Sequence, residues 1–436
     1  MTAVQETPSR TGLHPAWKVA AVTLLALVAS AAFRSSTGVL IDPVHEEFGW
    51  SLTTISGAVS INLVLFGLTA PFAAALMGRF GVGRVVAVAL SFVAVGSGAT
   101  LLMTQVWQLV VLWGLVIGFA TGSMALVLGA VVANAWFVER RGLVMGVFSA
   151  ANATGQLVVL PAVAWLATHE GWRAAAALTA VLALVLVPLT LAWLIDRPAD
   201  VGALPYGASE APAVPAGPAL GAGRAAWNEL KLGARSPAFW LLAGTFFICG
   251  WSTNGLIQTH FVGMAHDHGM PATTAAGLLA VVGVFDIVGT IGSGWLSDRV
   301  DPRLLLFMYY GLRGLALLAG PTLMGPGLSM PLGLFIVFYG LDWVATVPPT
   351  VALCREVFGL ERSSIAFGWV FAAHMVGAGV AAEVAGWSRE VSGSYDDAWW
   401  LAGGLCILAA FAIFGVRAPA RTPAPDGPPP VGSDAG

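Results

Sequence analysis

Long apolar stretches recur along the whole 436-residue chain, and they limit the possible folds more than any other feature. A helix of about 20 mostly apolar residues crosses the hydrocarbon core of a bilayer. Hydrophobic residues make up 57% of the chain and charged residues only 10%, against about 25% charged residues in an ordinary soluble domain. A soluble protein of this size could not bury so much apolar surface. The sequence therefore predicts that the chain lies in a lipid bilayer.

Twelve of these stretches are predicted to be membrane-spanning helices. We place them at residues 17–40, 54–77, 85–104, 108–135, 143–167, 173–195, 237–260, 273–296, 304–324, 331–353, 364–387 and 398–416. The segment between the sixth and seventh spans is rich in Ala, Gly and Pro, which is typical of a linker. The predicted organisation is a tail at 1–16, a six-helix bundle at 17–195, a linker at 196–236, a second six-helix bundle at 237–416 and a Pro-rich tail at 417–436.

The positions of Lys and Arg predict the orientation. Sixteen of the 20 lie in the tails, the linker and the loops on one side, whereas Arg173 and Arg389 are the two in the opposite loops. Under the positive-inside rule, both termini and the linker are cytoplasmic. An even number of spans agrees with this. We therefore predict a multi-pass protein of the cell inner (plasma) membrane.

An alternative concerns the first span. Arg10 and Lys18, the apolar run that follows them and Ala29-Ser30-Ala31 together resemble a cleavable signal peptide. Removal of this segment would leave eleven spans, an odd number that conflicts with the distribution of charge.

The two halves of the chain resemble each other. Residues 33–41 align with residues 250–258, and Arg140 with segment 146–155 aligns with Arg362 and segment 368–377 at a constant offset of 222. Two unrelated apolar helices would not be expected to share a register of polar and glycine positions. The fold class that we predict is an all-α membrane protein with two six-helix pseudo-repeats. A site near the midplane between such repeats is a transporter architecture.

The loop between the eighth and ninth spans reads Gly294-Trp-Leu-Ser-Asp298-Arg299 and continues to Arg303. It resembles the signature loop of the major facilitator superfamily, which is Gly-x-x-x-Asp-Arg followed by a basic residue. The resemblance implies that Asp298 caps a helix, pairs with basic residues and helps to hold one gating state.

The corresponding loop after the second span keeps only part of this signature. Arg79, Gly81 and Arg84 are present, but Gly78 stands where the family has its aspartate, and Ala74 where it has its first glycine. The gating residues that the resemblance implies are therefore Arg79, Gly81, Arg84, Gly294, Asp298 and Arg299, and the N-terminal half lacks the carboxylate.

Two further segments resemble a narrower group of transporters. The run from Trp136-Phe137 to Gly146 is similar to a pattern of the monocarboxylate transporters, with Glu139 in place of the usual lysine. Residues 202–207 resemble the segment that follows the sixth span in bacterial relatives of that family and in the oxalate–formate antiporters. The family's acidic and Gly-rich motif in the first span is not evident, and the eighth span lacks an arginine that these families often have.

Arg34 lies within the first span, where an ionisable side chain is costly and marks a functional site by default. Its guanidinium could bind a carboxylate with two parallel hydrogen bonds. The alternative is an arginine that snorkels to the outer interface, about two helical turns away.

Asn254 and Gln258 lie four residues apart in the seventh span and so share one face of a regular helix. Unpaired amides facing lipid are unfavourable. This face should therefore line a cavity, or else hydrogen-bond to a neighbouring helix. Asn152 and His374 are equivalent positions of the two repeats. The predicted substrate-binding residues are Arg34, Asn152, Asn254, Gln258 and His374.

Asp286 and Asp342 lie near the middle of their spans, and Arg313 is the cation that could neutralise one of them. The sequence does not choose between the two. The superfamily resemblance implies that the ninth span is peripheral and that Arg313 has a packing role. The unpaired aspartate would protonate readily, because burial disfavours its charge, and His374 is of a type that titrates near neutral pH. The predicted proton-coupling residues are Asp286, Asp342 and His374.

The expected function is secondary active transport of a small organic anion, a monocarboxylate, coupled to protons. The alternatives are an exchanger, an exporter of an amphipathic compound, a transporter-like membrane sensor and, more distantly, a membrane-embedded enzyme. The residues contain no soluble-enzyme motif in a credible context. We expect no cofactor, no metal and no nucleic-acid partner, and we expect a functional monomer whose partners are a small-molecule substrate, a proton and the lipid bilayer.

Overall fold

The computed structural model describes residues 13–50, 52–210 and 221–417. Most of both predicted tails lies outside these ranges. Within the helices, the side chains of a further group of residues also lie outside the description, and Arg34 and Asn152 belong to this group.

The described chain is built almost entirely of helices, numbered here by membrane crossing. In the N-terminal half they are α1 (Pro15–Phe48), α2 (Leu52–Phe80), α3 (Val82–Thr100), α4 (Val106–Trp136), α5 (Arg141–His169) and α6 (Trp172–Trp193). In the C-terminal half they are α7 (Pro237–Asp267), α8 (Ala272–Ser297), α9 (Pro302–Leu323), α10 (Met330–Asp342, continuing over 347–358), α11 (360–392) and α12 (Asp396–Ala412).

Within the described ranges, nine helical segments are long and apolar enough to cross a membrane. One of them, Met330–Arg389, has 60 residues. Gly359 divides it into α10 and α11, because its positive φ of 76° interrupts the helix. The twelve-helix, two-bundle fold class that the sequence predicts is confirmed.

Three of the crossings are irregular. Helix α4 contains a π-helical segment at Val110–Ile117, and α7 contains another at Trp251–Ile257. Helix α10 is interrupted at residues 343–346. Irregular backbone at membrane depth needs partners for its polar groups, so it occurs where it is buried in protein or lines a cavity.

A separate helix over Ala222–Gly233, here called the linker helix, lies between the two halves in sequence. It contacts α2 and α11, which belong to different halves. The loops that carry most of the arginines lie at the same end of the bundle as this helix. We call this end of the molecule the basic side.

In the described residues the apolar core has one large cluster in each half, a third that both halves share, and a small fourth one between α2 and the linker helix. In the shared cluster, the Phe66 ring of α2 meets the Phe371 ring of α11 edge-on at 5.6 Å between centroids. The ion pairs Glu47–Arg173 and Asp267–Arg389, on the side opposite the basic side, each stay within one half. On the basic side, by contrast, the two halves touch directly, since the backbones of Gly142 in α5 and Gly294 in α8 are in close contact.

Candidate functional site

A cavity of about 70 Å³ lies between the two halves. Helices α1, α2, α4 and α5 line it from one half, and α7, α10 and α11 from the other. This is the volume open to the centre of a water-sized sphere, and one water molecule needs roughly 10–15 Å³ of it. The cavity therefore has room for about five waters or for one small molecule. Its polar lining residues are Ser30, Ser149, Cys249, Thr253, Asn254 and His374.

His374 lies in the wall of this cavity and has an unpartnered nitrogen. The side chain is 8% exposed, and its Nδ1 has no hydrogen-bond partner in the described part of the chain. The ring is held between the rings of Phe371, which is nearly parallel to it, and Phe246. Buried polar atoms are nearly always hydrogen-bonded, so an unpartnered nitrogen in a cavity wall indicates a place for a ligand.

Asn254 is the second available polar group. It belongs to the π-helical segment of α7, is partly buried and lines the cavity. Ser149 and Thr253, by contrast, donate to carbonyl groups of their own helices. The cavity wall therefore contains one imidazole and one amide whose polar groups could recognise a ligand.

The other predicted substrate residues are distributed differently. Gln258 is exposed and is not part of the cavity lining. The side chains of Arg34 and Asn152 lie outside the described residues. The structure thus brings Asn254 and His374 together, and the roles of all five residues stay predictions.

Arg313 pairs with Asp342 and not with Asp286. Its Nε lies 2.6 Å from Asp342 Oδ2, and both side chains are buried. The guanidinium also donates to the backbone carbonyls of Asp342 and Trp343 and to Ser252 Oγ. These bonds connect α9 to the π-helical segment of α7 and to the interruption in α10. The geometry agrees with the packing role predicted for Arg313.

Asp286 lies just behind the cavity wall. It accepts hydrogen bonds from Thr290 Oγ1 at 2.7 Å and from the backbone N–H of Val344 at 3.1 Å. Val344 belongs to the interruption in α10 and lines the cavity. In the described chain Asp286 has no ion-pair partner and is 1% exposed. A buried carboxylate without a cation is strongly disfavoured relative to its neutral form.

The signature loop of the C-terminal half closes the basic side. The Asp298 carboxylate accepts hydrogen bonds from the N–H groups of Gly142 and Leu143, at 2.7 and 3.1 Å. These groups belong to the first turn of α5, where N–H groups lack partners within the helix and the helix dipole favours an anion. Arg299 lies beside this contact and stacks its guanidinium on the Trp295 ring at 4.0 Å.

Glycines permit the close helix crossing next to Asp298. A Cβ built on Gly294 would collide with the Gly142 carbonyl oxygen, and one built on Gly146 would collide with the backbone of α8. The first glycine of the signature is therefore required by backbone contact between the two halves.

The incomplete signature loop of the N-terminal half is arranged differently. Gly81 has a φ of 92°, and its Cα faces the Asp196 carboxylate so closely that a Cβ would collide with it. That carboxylate accepts a hydrogen bond from the N–H of Gly83. Arg79 stacks on its neighbour Phe80, and Arg84 is exposed.

The two segments that resemble the monocarboxylate transporters meet on the basic side. The Tyr206 N–H donates to the Trp136 carbonyl at 2.8 Å, and the Val138 N–H donates to the Tyr206 carbonyl at 2.9 Å. Phe137 and Tyr206 form an isolated β-bridge, and the Trp17 ring packs against both of their rings. These segments therefore form one structural unit at the end of α4, away from the cavity.

Two features of the site were not predicted from the sequence. Cys249 lines the cavity, with its sulfur 3.1 Å from Thr346 Oγ1 and within reach of Arg313 Nη1. Glu229 of the linker helix binds Arg362 with two hydrogen bonds, which raise the pKa of that guanidinium above its ordinary value. The sequence signal for the contact of Glu229 was its position in a stretch of the linker, residues 222–233, with the alternating apolar and polar pattern of an amphipathic helix.

The profile of the Major Facilitator Superfamily matches residues 23–382, and the chain belongs to this family. The MFS-type transporter YcxA of Bacillus subtilis (strain 168) is 24% identical over 392 residues, covering 88% of this chain and 91% of the relative. Monocarboxylate transporter 13 of Rattus norvegicus is 27% identical over 401 residues, covering 88% and 86%.

Solved structures show the same fold. The human organic anion transporter MFSD10 superimposes with a TM-score of 0.68 at 16% identity. The superposition covers 92% of this chain and 100% of the MFSD10 chain. The protein is therefore a multi-pass membrane transporter of this superfamily and not an enzyme.

Proposed function

We propose that the protein is a secondary active transporter that carries a small monocarboxylate together with a proton. The observation that carries the proposal is the unpartnered Nδ1 of His374 at a small cavity between the two halves. The name of the rat relative, a monocarboxylate transporter, supports the same substrate class.

The cavity suits a small anion in both size and chemistry. Protonated His374 donates to one carboxylate oxygen, and the Asn254 amide donates to the other. Hydrogen bonds in which a partner is charged are roughly twice as strong as neutral ones. The volume of about 70 Å³ limits the substrate to a small molecule. Arg34, which follows the cavity-lining residues Ser30 and Ala31 in the sequence, stays a predicted substrate-binding residue.

Proton coupling is assigned to His374 and Asp286. A proton on His374 neutralises the bound anion, so that the pair moves through the apolar interior without net charge. Asp286 is the second coupling group in this proposal, because in the described chain no ion pair fixes it in its charged form. Asp342, which the sequence also nominated, is the less suitable carrier because Arg313 already balances its charge.

Alternating access follows from the contacts that close the basic side. Release of Asp298 from α5 opens that side and exposes the cavity to it. We assign the basic side to the cytoplasm of a cell with the protein in its inner membrane, since the distribution of Lys and Arg predicts this orientation. A monomer suffices, because both halves that line the cavity belong to one chain.

A binding experiment tests the substrate class. Binding of small carboxylates and of their neutral amides of the same shape is measured by isothermal titration with the purified protein between pH 5.5 and 7.5. A site that takes up one proton with the anion binds more tightly as the pH falls, by at most about tenfold for each pH unit. Equal affinity for carboxylates and amides, or binding that does not change with pH, would contradict the proposal.

His374→Asn is the informative variant for the same experiment. Asparagine already stands at the equivalent position of the other repeat, Asn152. A side chain of that size should therefore be accepted at position 374. The variant should bind the carboxylate more weakly and lose the dependence on pH. Glu383→Gln, an exposed acid on the same helix, serves as the control and should bind as the wild type does.

A further inference from the structure

The linker helix connects the two halves on the basic side. On one face, Ala226 packs against Ala75 of α2, and both side chains are fully buried. Phe72 and Leu76 of α2 pack around this contact. The linker helix is therefore seated on the N-terminal half, although it is joined closely in sequence to the C-terminal half.

The same part of the linker helix is also bound to α11. Glu229 accepts two hydrogen bonds from Arg362, at 2.7 and 2.8 Å, and its own side chain is only 6% exposed. The Trp369 indole N–H donates to the Ala226 carbonyl at 2.9 Å. Trp369 also packs edge-on against Phe72 of α2, so the linker helix, α2 and α11 meet at this ring.

This junction lies at the pseudo-symmetric counterpart of the Asp298 contact. With the offset of 222, Gly146 corresponds to Gly368, and a Cβ on Gly368 would collide with Pro71 of α2. The crossing of α2 with α11 is thus the equivalent of the crossing of α8 with α5. The crossing of α8 with α5 has the signature carboxylate, Asp298. The crossing of α2 with α11 lacks it, because Gly78 stands at the position in α2 that is equivalent to Asp298.

We propose that Glu229 supplies the function of the missing aspartate by holding the linker helix as a clamp across the α2–α11 crossing. The carboxylate acts as a positioning residue: it fixes the linker helix to the first turn of α11, and the helix holds α2 through Ala226. Opening of the basic side then requires two events, which are release of Asp298 from α5 and release of the linker helix.

Hydrogen–deuterium exchange of the full-length protein tests the clamp. In Glu229→Gln, we expect the amides of the linker helix and of residues 361–368 to exchange about tenfold faster, since a charge-assisted contact is lost. Glu356→Gln is the matched control, because Glu356 pairs with Arg303 inside the C-terminal half at 3.1 Å. It should leave exchange in both segments at the wild-type rate.

Two rescue variants distinguish a gate from simple local stabilisation. Gly78→Asp returns the carboxylate to α2, and in the Glu229→Gln background it should slow exchange at residues 361–368 and restore the closed basic side. The charge exchange Glu229→Arg with Arg362→Glu should restore protection of the linker helix itself. Wild-type exchange in Glu229→Gln, or failure of both rescues, would overturn the proposal. Because the readout needs no substrate, a wrong substrate class would leave this test intact.

Discussion

Asp298 in α8 caps the first turn of α5, with its Oδ1 2.7 Å from the backbone nitrogen of Gly142 in the other half of the molecule. The aspartate thus supplies an acceptor that helix α5 cannot find within itself. Because the bond joins the two halves, it exists only when the basic side is closed. The signature residue is therefore a direct contributor to the equilibrium between closed and open states.

Asp298→Asn should open the basic side more often and impair transport, while leaving folding intact. Asparagine has one acceptor oxygen and no charge, so one of the two bonds and the attraction to the helix dipole are lost, at a cost of about 1–2 kcal/mol. The measurement is the rate of uptake at matched protein levels. Asp301→Asn is the control, since Asp301 caps its own helix through the Arg303 N–H. Wild-type uptake by Asp298→Asn would contradict the role in gating.

Gly294→Ala should block closure of the basic side, because its Cβ would collide with the Gly142 backbone. Overpacking of this kind costs about 1–3 kcal/mol, which shifts the equilibrium by about five- to 150-fold. Gly292→Ala is a close control on the same helix, since a Cβ there meets nothing within 4 Å. Distances between spin labels on the basic ends of α5 and α8 would report the difference, and equal distances in both variants would exclude the steric argument.

Arg313→Met should destabilise the protein by about 3–5 kcal/mol, because Asp342 would remain buried without its cation. The double variant Arg313→Met with Asp342→Leu should recover most of this loss, since it removes both charges. Unfolding in detergent is the measurement. Arg389→Met, which breaks the exposed pair with Asp267, should cost less than about 1 kcal/mol.

The same double variant also tests the proton-coupling role predicted for Asp342. Retained uptake driven by a pH gradient would assign Asp342 to packing alone. Loss of the gradient dependence in a folded double variant would return Asp342 to the coupling residues.

Asp286→Asn should separate exchange from accumulation. The amide oxygen can still accept the Val344 N–H that Asp286 now accepts, so the interruption in α10 keeps its shape, but the group no longer takes up a proton. Substrate exchange between the two sides of a vesicle should continue, while a pH gradient should no longer drive accumulation. Gradient-driven accumulation by Asp286→Asn at the wild-type level would exclude Asp286 from proton coupling.

The sequence predicted the membrane fold because apolar length and the Lys and Arg distribution report on the bilayer directly. The polar face of α7 was harder to predict. Residues 251–257 form a π-helix rather than a regular α-helix, and Asn254 lines the cavity whereas Gln258, the first residue after this segment, is exposed and outside the lining. Composition alone gave no sign of this local change.

The partner of Arg313 was also beyond the sequence. Asp286 and Asp342 lie at similar depth in adjacent spans, and only the interruption of α10 at residues 343–346 turns Asp342 and two backbone carbonyls towards the guanidinium. The linker gave a similar difficulty, because its Ala, Gly and Pro content is typical of an unstructured segment. The contacts of Ala226 and Glu229 with two different helices stabilise a short helix that local propensity does not require.

Uptake of labelled monocarboxylates into proteoliposomes, with and without a pH gradient, tests the central claim most directly. We predict that a gradient with the acidic side facing the substrate drives accumulation above equilibrium, that a protonophore abolishes it, and that neutral amides of the same shape do not compete. Uptake that ignores the gradient for every carboxylate tested, or accumulation of the amides alone, would contradict the account.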